Sequence, residues 1–236
     1  RSRRDQELAP LQAELREAMG EWGCPLCRLS DKAERSFIHS LSYERVLDLK
    51  TRDALKASRG LCREHTRAWE ELQGSALGIA IVYHISVLDL LRDTEPEANE
   101  SHSLFRRRSS ATDAADRLST SGPCPACEIV RGTVQRFGEI LLADIEESEV
   151  QAALLACGGL CLPHLRTVLQ LRGAEKAYVP LMRTQRKAWK RLMAELEEFI
   201  RKNDYRFADE VMTEAEGTSW RRVLDVLVGL RDAHRG

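Results

Sequence analysis

"CPLC" at Cys24–Cys27 and "GLCREH" at Gly60–His65 return about a hundred residues later as "CPAC" at Cys124–Cys127 and "GLCLPH" at Gly159–His164. Written as spacings, these are C-x2-C-x34-C-x2-H and C-x2-C-x33-C-x2-H. Two donors three residues apart at the start of a helix face the same side, so each short motif forms a two-pronged clamp. Two clamps supply three thiolates and one imidazole, the soft and borderline donors that tetrahedral zinc takes. The expected ligands are Cys24, Cys27, Cys62 and His65 for one ion, and Cys124, Cys127, Cys161 and His164 for a second. That grouping assumes each copy closes its own site. The first C-x-x-C could instead pair with the second C-x-x-H, which would interlock the copies without changing the ligands.

The residues between the clamps read as helices. Leu26, Leu29, Ala33, Phe37, Leu41 and Val46 recur every three or four positions from Cys24 to about Leu49. A shorter helix over Thr51–Ser58 ends at Gly60, and the next starts at Leu61. The apolar run "ALGIAIVYHISVLDLL" (Ala76–Leu91) predicts a buried core helix, being too short for the roughly 20 residues that span a bilayer. The second half follows the same order: a helix from Cys124, a short one over Ser148–Gly159, another from Cys161 and a long one over Ala177–Ile200. An internal duplication accounts for this register. Both clamps then lie near helix starts, where backbone N–H groups favour thiolate. Pro25 and Pro125 suit a first helical turn.

An odd count of seven cysteines, two clustered C-x-x-C pairs among them, and no apolar run behind the basic start "RSRRDQELAP" favour metal over a disulfide framework and a cytoplasmic chain. No βαβ pattern surrounds either C-x-x-C to make it a thioredoxin-like redox motif. An iron–sulfur cluster with one histidine ligand is the other metal alternative. Four protein ligands leave no open coordination position, so the expected metal role is structural. Cys157, the seventh cysteine, reads as core filler, because Ser58 takes its place in the first copy. His39 and His84 have no counterparts and read as boundary residues, and "DIEESEV" (Asp144–Val150) as a solvated face. A formal net charge of -1 and 6% aromatic residues argue against nucleic acid as a partner.

Residues 94–122 change character and read as a linker with one short helix at Ala111–Leu118; its "FRRRSS" (Phe105–Ser110) reads as a solvated basic run. Beyond the second copy, Arg201–Gly217 is expected as a loop and Thr218–Ala233 as an amphipathic helix with Trp220, Leu224 and Leu227 on one face and Thr218 or Ser219 as cap. Tyr205, Phe207 and Trp220 are expected to anchor this tail.

With "CPLC", "GLCREH", "CPAC", "GLCLPH", the tail "DYRF" and Ser219–Trp220, the chain resembles an uncharacterised family of bacterial proteins, helical and duplicated. The resemblance implies bacterial origin and metal binding. It supplies no substrate, and it makes the tail part of the common architecture.

The expected fold is all-α: two tandem helical modules, 1–93 and 123–200, joined by linker 94–122 and crossed by a tail, 201–236. Each module holds one structural zinc ion. The expected role is a binding or scaffold protein, outside any membrane, with a protein or small-molecule ligand. Two rivals stand beside it: a redox- or metal-responsive switch acting through the zinc-bound thiolates, and an enzyme with a site between the modules that uses Asp204 and Arg206.

Overall fold

The computed structural model describes residues 3–43, 48–94, 111–207 and 209–230. The run Phe105–Ser110 lies outside the described residues, as do the last residues of the expected tail helix. Among the described residues there are helices and no strands.

Helix α1 (Arg3–Ala18) is followed by α2 (Pro25–Tyr43), α3 (Leu49–Ala57), α4 (Arg63–Glu70) and α5 (Ala76–Thr94). The linker holds α6 at Ala111–Leu118, as its sequence predicts. The second half repeats the order with α7 (Pro125–Asp144), α8 (Ser148–Ala156), α9 (Leu162–Val168) and α10 (Ala174–Lys202). A 3-10 turn at Tyr205–Phe207 leads to α11 (Glu214–Val228).

The chain divides into two compact units. Unit 1 is Arg1–Ala33 with Val130–Gly236, and unit 2 is Glu34–Ile129. These differ from the consecutive segments 1–93 and 123–200 that the repeat suggests. Helix α2 begins in unit 1 and continues into unit 2; α7 begins in unit 2 and continues into unit 1.

Unit 1 is built on 23 buried residues, with Leu15, Leu26, Leu141, Leu154 and Leu181 at its centre. Unit 2 has eight, including Phe37, Leu41, Leu61, Val82 and a fully buried Trp69. The Trp69 indole N–H donates to Ser42 Oγ at 2.6 Å, so the one polar atom of that ring is satisfied inside the core.

Helix α5 departs from its expected burial. Gly78, Val82 and Ser86 face inward, while Leu77 and Leu91 are 72% and 62% exposed. An apolar composition all round the helix did not bring burial all round, because unit 2 covers only one side of it.

The tail also differs from its expected form. Helix α11 begins four residues earlier than predicted, at Glu214, because Thr213 and Glu216 form a capping box. The Thr213 hydroxyl accepts from the Glu216 N–H, and the Glu216 carboxylate accepts from the Thr213 N–H at 2.7 Å. Tyr205 is 88% exposed and Trp220 42%, so they are not the anchors. The tail is joined to α10 by ion pairs, Lys202 to Glu216 at 2.8 Å and Arg222 to Glu195 at 2.7 Å, and its Leu230 packs against the core of unit 1. The Arg222 guanidinium also lies 4.6 Å from the centre of the Trp22 ring.

Candidate metal centres

In both halves the approach to the second clamp is one turn type. The Gly60 N–H donates to the Leu55 carbonyl at 2.7 Å, and the Gly159 N–H to the Leu154 carbonyl at 2.8 Å, the six-to-one bond of a Schellman ending. Two consecutive residues have positive φ at each turn: Arg59 and Gly60 in the first half, Gly158 and Gly159 in the second. Arg59 is held in that conformation by its guanidinium, which binds Asp93 at 2.8 Å and the Arg117 carbonyl. The turn delivers Cys62 and Cys161 to the N-cap positions of α4 and α9, with extended backbone and no side-chain capping bond. Each sulfur is thereby left to point away from the helix it starts. Cys24 and Cys124 stand immediately before α2 and α7, whose first residues are Pro25 and Pro125.

The clamps meet in exchanged pairs. Cys24 and Cys27 join Cys161 and His164 in unit 1, while Cys62 and His65 join Cys124 and Cys127 in unit 2. Within each set the four donor atoms lie within 4.8 Å of one another. The grouping by consecutive copy is therefore corrected to the interlocked one. Glu34 and His65 give the physical reason. The Glu34 carboxylate lies 3.4 Å from His65 Nε2, and ten residues of helix α2, about 15 Å, separate Glu34 from Cys24. A histidine packed that far along α2 is out of reach of the clamp at its start.

The separations, all but the short Cys62–His65 edge, fit a tetrahedral ion. Zinc with ordinary Zn–S and Zn–N bonds sets the edges of its donor tetrahedron at about 3.8 Å for S···S and about 3.6 Å for S···N. In unit 1 the Cys27–Cys161 edge is 3.7 Å, and His164 Nδ1 lies 3.5, 3.3 and 3.3 Å from the sulfurs of Cys24, Cys27 and Cys161. In unit 2 the Cys62–Cys127 edge is 3.8 Å, and His65 Nδ1 lies 2.9, 3.7 and 3.5 Å from Cys62, Cys124 and Cys127. All seven cysteines are free thiols, which removes the disulfide alternative from this structure.

The electrostatics of the donors point the same way. Hydrogen bonding to Cys124 and Cys62, aided by the Glu34 charge, pushes His65 up to about 9 against the effect of its burial. Burial works against a charged His164 too, yet bonds to Cys161, Cys24 and Cys27 push it up to about 12. Burial by itself would raise the Cys124 thiol, but His65 and the N–H groups of Cys127, Cys62 and Ala126 together bring it down to about 6. Both clusters thus stabilise positive charge at their centres, which a divalent cation supplies.

The surroundings of the two clusters differ. Cys24, Cys27 and Cys161 are buried, and the end of α11 comes up against Cys27 and Cys161. Gly229, with φ +97, comes so close that a Cβ there would sit 3.4 Å from the Cys27 sulfur and 3.8 Å from that of Cys161. In unit 2 the three cysteines are half-buried, and Glu34 orients the histidine. Two contributors were thus missed in the sequence, Glu34 and Gly229. Glu34 had a signal: it falls on the same apolar stripe of α2 as Cys27, Phe37 and Leu41, where a carboxylate requires a partner.

Cys157 belongs to neither cluster. It is buried, with its thiol pushed up to about 11 by desolvation and bonded to the Leu154 carbonyl at 3.2 Å. His39 and His84 sit on exposed helix positions. Asp204 and Arg206 pair with each other at 2.6 Å on the surface.

Fold and site together define an all-α protein with two candidate Cys₃His metal sites. The chain belongs to DUF6062, a family of unknown function, which it matches over residues 11–232. It is 26% identical over 207 residues to an "uncharacterized 23.9 kDa protein in xynA 3'region" from Caldicellulosiruptor sp. (strain Rt8B.4), covering 87% of this chain and 95% of that protein. No solved structure matches it. No described helix is long and apolar enough to cross a membrane.

Proposed function

We propose that the chain is a zinc protein of the bacterial cytoplasm in which two structural Cys₃His ions hold a helical binding or scaffold protein in shape. The observation that carries this reading is the twofold convergence of three sulfurs and one imidazole nitrogen at tetrahedral separations. Four protein donors fill the coordination sphere of zinc, as in structural sites. The residues that would hold the ions are Cys24, Cys27, Cys161 and His164 in unit 1, and Cys62, His65, Cys124 and Cys127 in unit 2. A bound divalent ion would offset two of the three thiolate charges and fix helix starts that are far apart in sequence. The proposed partner is a protein or a small molecule, carried on the helical surface rather than at the metals.

Elemental analysis of purified protein tests the reading. About two zinc per chain are expected from the two donor sets, with loss of helicity on chelation. Metal-free protein with unchanged helicity would defeat it, and iron with visible absorption would replace zinc with a cluster.

The half-buried sulfurs of unit 2 favour a second reading, in which that site responds to oxidants. Mild peroxide would then release one of the two ions, from Cys62, Cys124 and Cys127, before the other. Retention of both ions, or their simultaneous loss, excludes it.

A further inference from the structure

We propose that the outer face of α5 is a two-fold interface between two copies of this chain. Leu77, Ile81, His84, Leu88 and Leu91 are all exposed and follow one another at steps of four, three, four and three residues. That is the 3.5-residue repeat of a helix-pairing seam, and it carries no charge. Leu77 and Leu91, at its two ends, are 72% and 62% exposed.

Helix α10 provides the comparison. Each of the two helices is preceded by a glycine with positive φ, Gly74 and Gly173. Aligned on these glycines, the inward positions coincide: Gly78 with Ala177, Val82 with Leu181, Ser86 with Gln185. The five seam positions then fall on Lys176, Pro180, Arg183, Lys187 and Lys190. The same outer face is cationic on α10 and apolar on α5. Core packing does not require this difference, since the inward positions agree.

The order along the seam selects a second copy as occupant. Leu, Ile, His, Leu, Leu reads nearly the same backwards, so an antiparallel pair sets Leu77 against Leu91 of the second copy and Ile81 against Leu88. His84 meets its own equivalent near the axis. Such self-complementarity is what an isologous two-fold contact demands. Nothing like-charged confronts itself there: Asp89 is already held by Lys56 at 3.4 Å and Asp93 by Arg59 at 2.8 Å. At 1.5 Å per residue the seam is about 21 Å long; with a helix about 10 Å across it offers about 200 Å² per copy, and even with the exposed Leu49 beside it the contact falls among the small, weak interfaces.

Sedimentation of the full metal-loaded chain between about 1 and about 100 µM tests the proposal, because a contact this small holds two copies only weakly. A reversible monomer–dimer equilibrium is expected. Leu77→Lys with Leu88→Lys, which installs the α10 character, should weaken it at least about tenfold. Metal content and helicity should not change, since both side chains are exposed. Leu77→Glu and Leu91→Lys should each dissociate the dimer. The two together in one chain should restore it, through the carboxylate of each copy pairing with the ammonium of the other across the axis. A chain that stays monomeric throughout that range overturns the proposal. So does a dimer indifferent to the lysines, or one that the double charge variant fails to restore.

Discussion

The two candidate metal centres use the same donors, one C-x-x-C and one C-x-x-H clamp each, and differ in what surrounds them. In unit 1 the sulfurs lie beneath the end of α11, inside a core of 23 buried residues. In unit 2 the sulfurs are half-exposed, and the core has eight. A small core cannot by itself offset the conformational entropy of six helical segments, whereas a larger one comes nearer to doing so. One motif can therefore be an addition to stability in one place and its precondition in another.

The strongest way to break this comparison is to remove one ligand from each centre. Cys62→Ser should reduce zinc from two ions to one and unfold unit 2, since structural zinc contributes about 10–16 kcal/mol to small domains. Cys161→Ser should also cost one ion, but leave unit 1 folded with a lower melting temperature. Hydrogen exchange resolved by segment distinguishes them; equal loss of protection in both variants would show that the cores do not set the difference.

Trp69 is the next lever. Trp69→Ala removes the largest side chain of the unit 2 core and leaves a cavity, with an expected cost of about 3–5 kcal/mol. Denaturant unfolding followed in unit 2 would measure it, and a cost below about 1 kcal/mol would mean that the metal alone holds the unit.

Glu34 sharpens the contrast between the centres themselves. Glu34→Gln keeps the shape but removes the charge facing His65 Nε2, and should weaken zinc binding in unit 2 by about 10- to 100-fold. Unit 1 has Val134 ten residues after Cys124, where α2 has Glu34 after Cys24, so its affinity should not move. Competition with a chromophoric chelator reports both sites, and an equal change in the two would remove Glu34 from the role given to it.

The smallest effect belongs to the tail. Thr213→Ala deletes one half of the capping box and should cost about 1 kcal/mol of unit 1 stability, with zinc content unchanged. Zinc loss in this variant would show that the cover over Cys27 and Cys161 is needed for binding as well as for burial.

Much of this was legible because its causes are local. The prolines after Cys24 and Cys124 and the glycines before Cys62 and Cys161 mark helix boundaries by backbone geometry alone. The start of α11 was legible too, as the capping-box pattern "TEAE" at Thr213–Glu216, ahead of the expected caps Thr218 and Ser219. The exposed side of α5 was not legible: composition reports how apolar a helix is, not how many of its sides have neighbours. The exposure of Tyr205 and Trp220 was not legible for a related reason: the tail meets the bundle through Leu230 and through ion pairs to α10, and neither aromatic ring is needed there.

The sequence by itself determined the eight donors, their chemistry and their places at helix starts, because donor type and three-residue spacing are properties of single turns. Only the tertiary structure decided which clamp faces which. The two C-x-x-C pairs are chemically equivalent, as are the two C-x-x-H pairs, so no local rule can choose between partners. The choice is made where α4 packs beside the far half of α2, with Trp69 bonded to Ser42 and His65 beside Glu34.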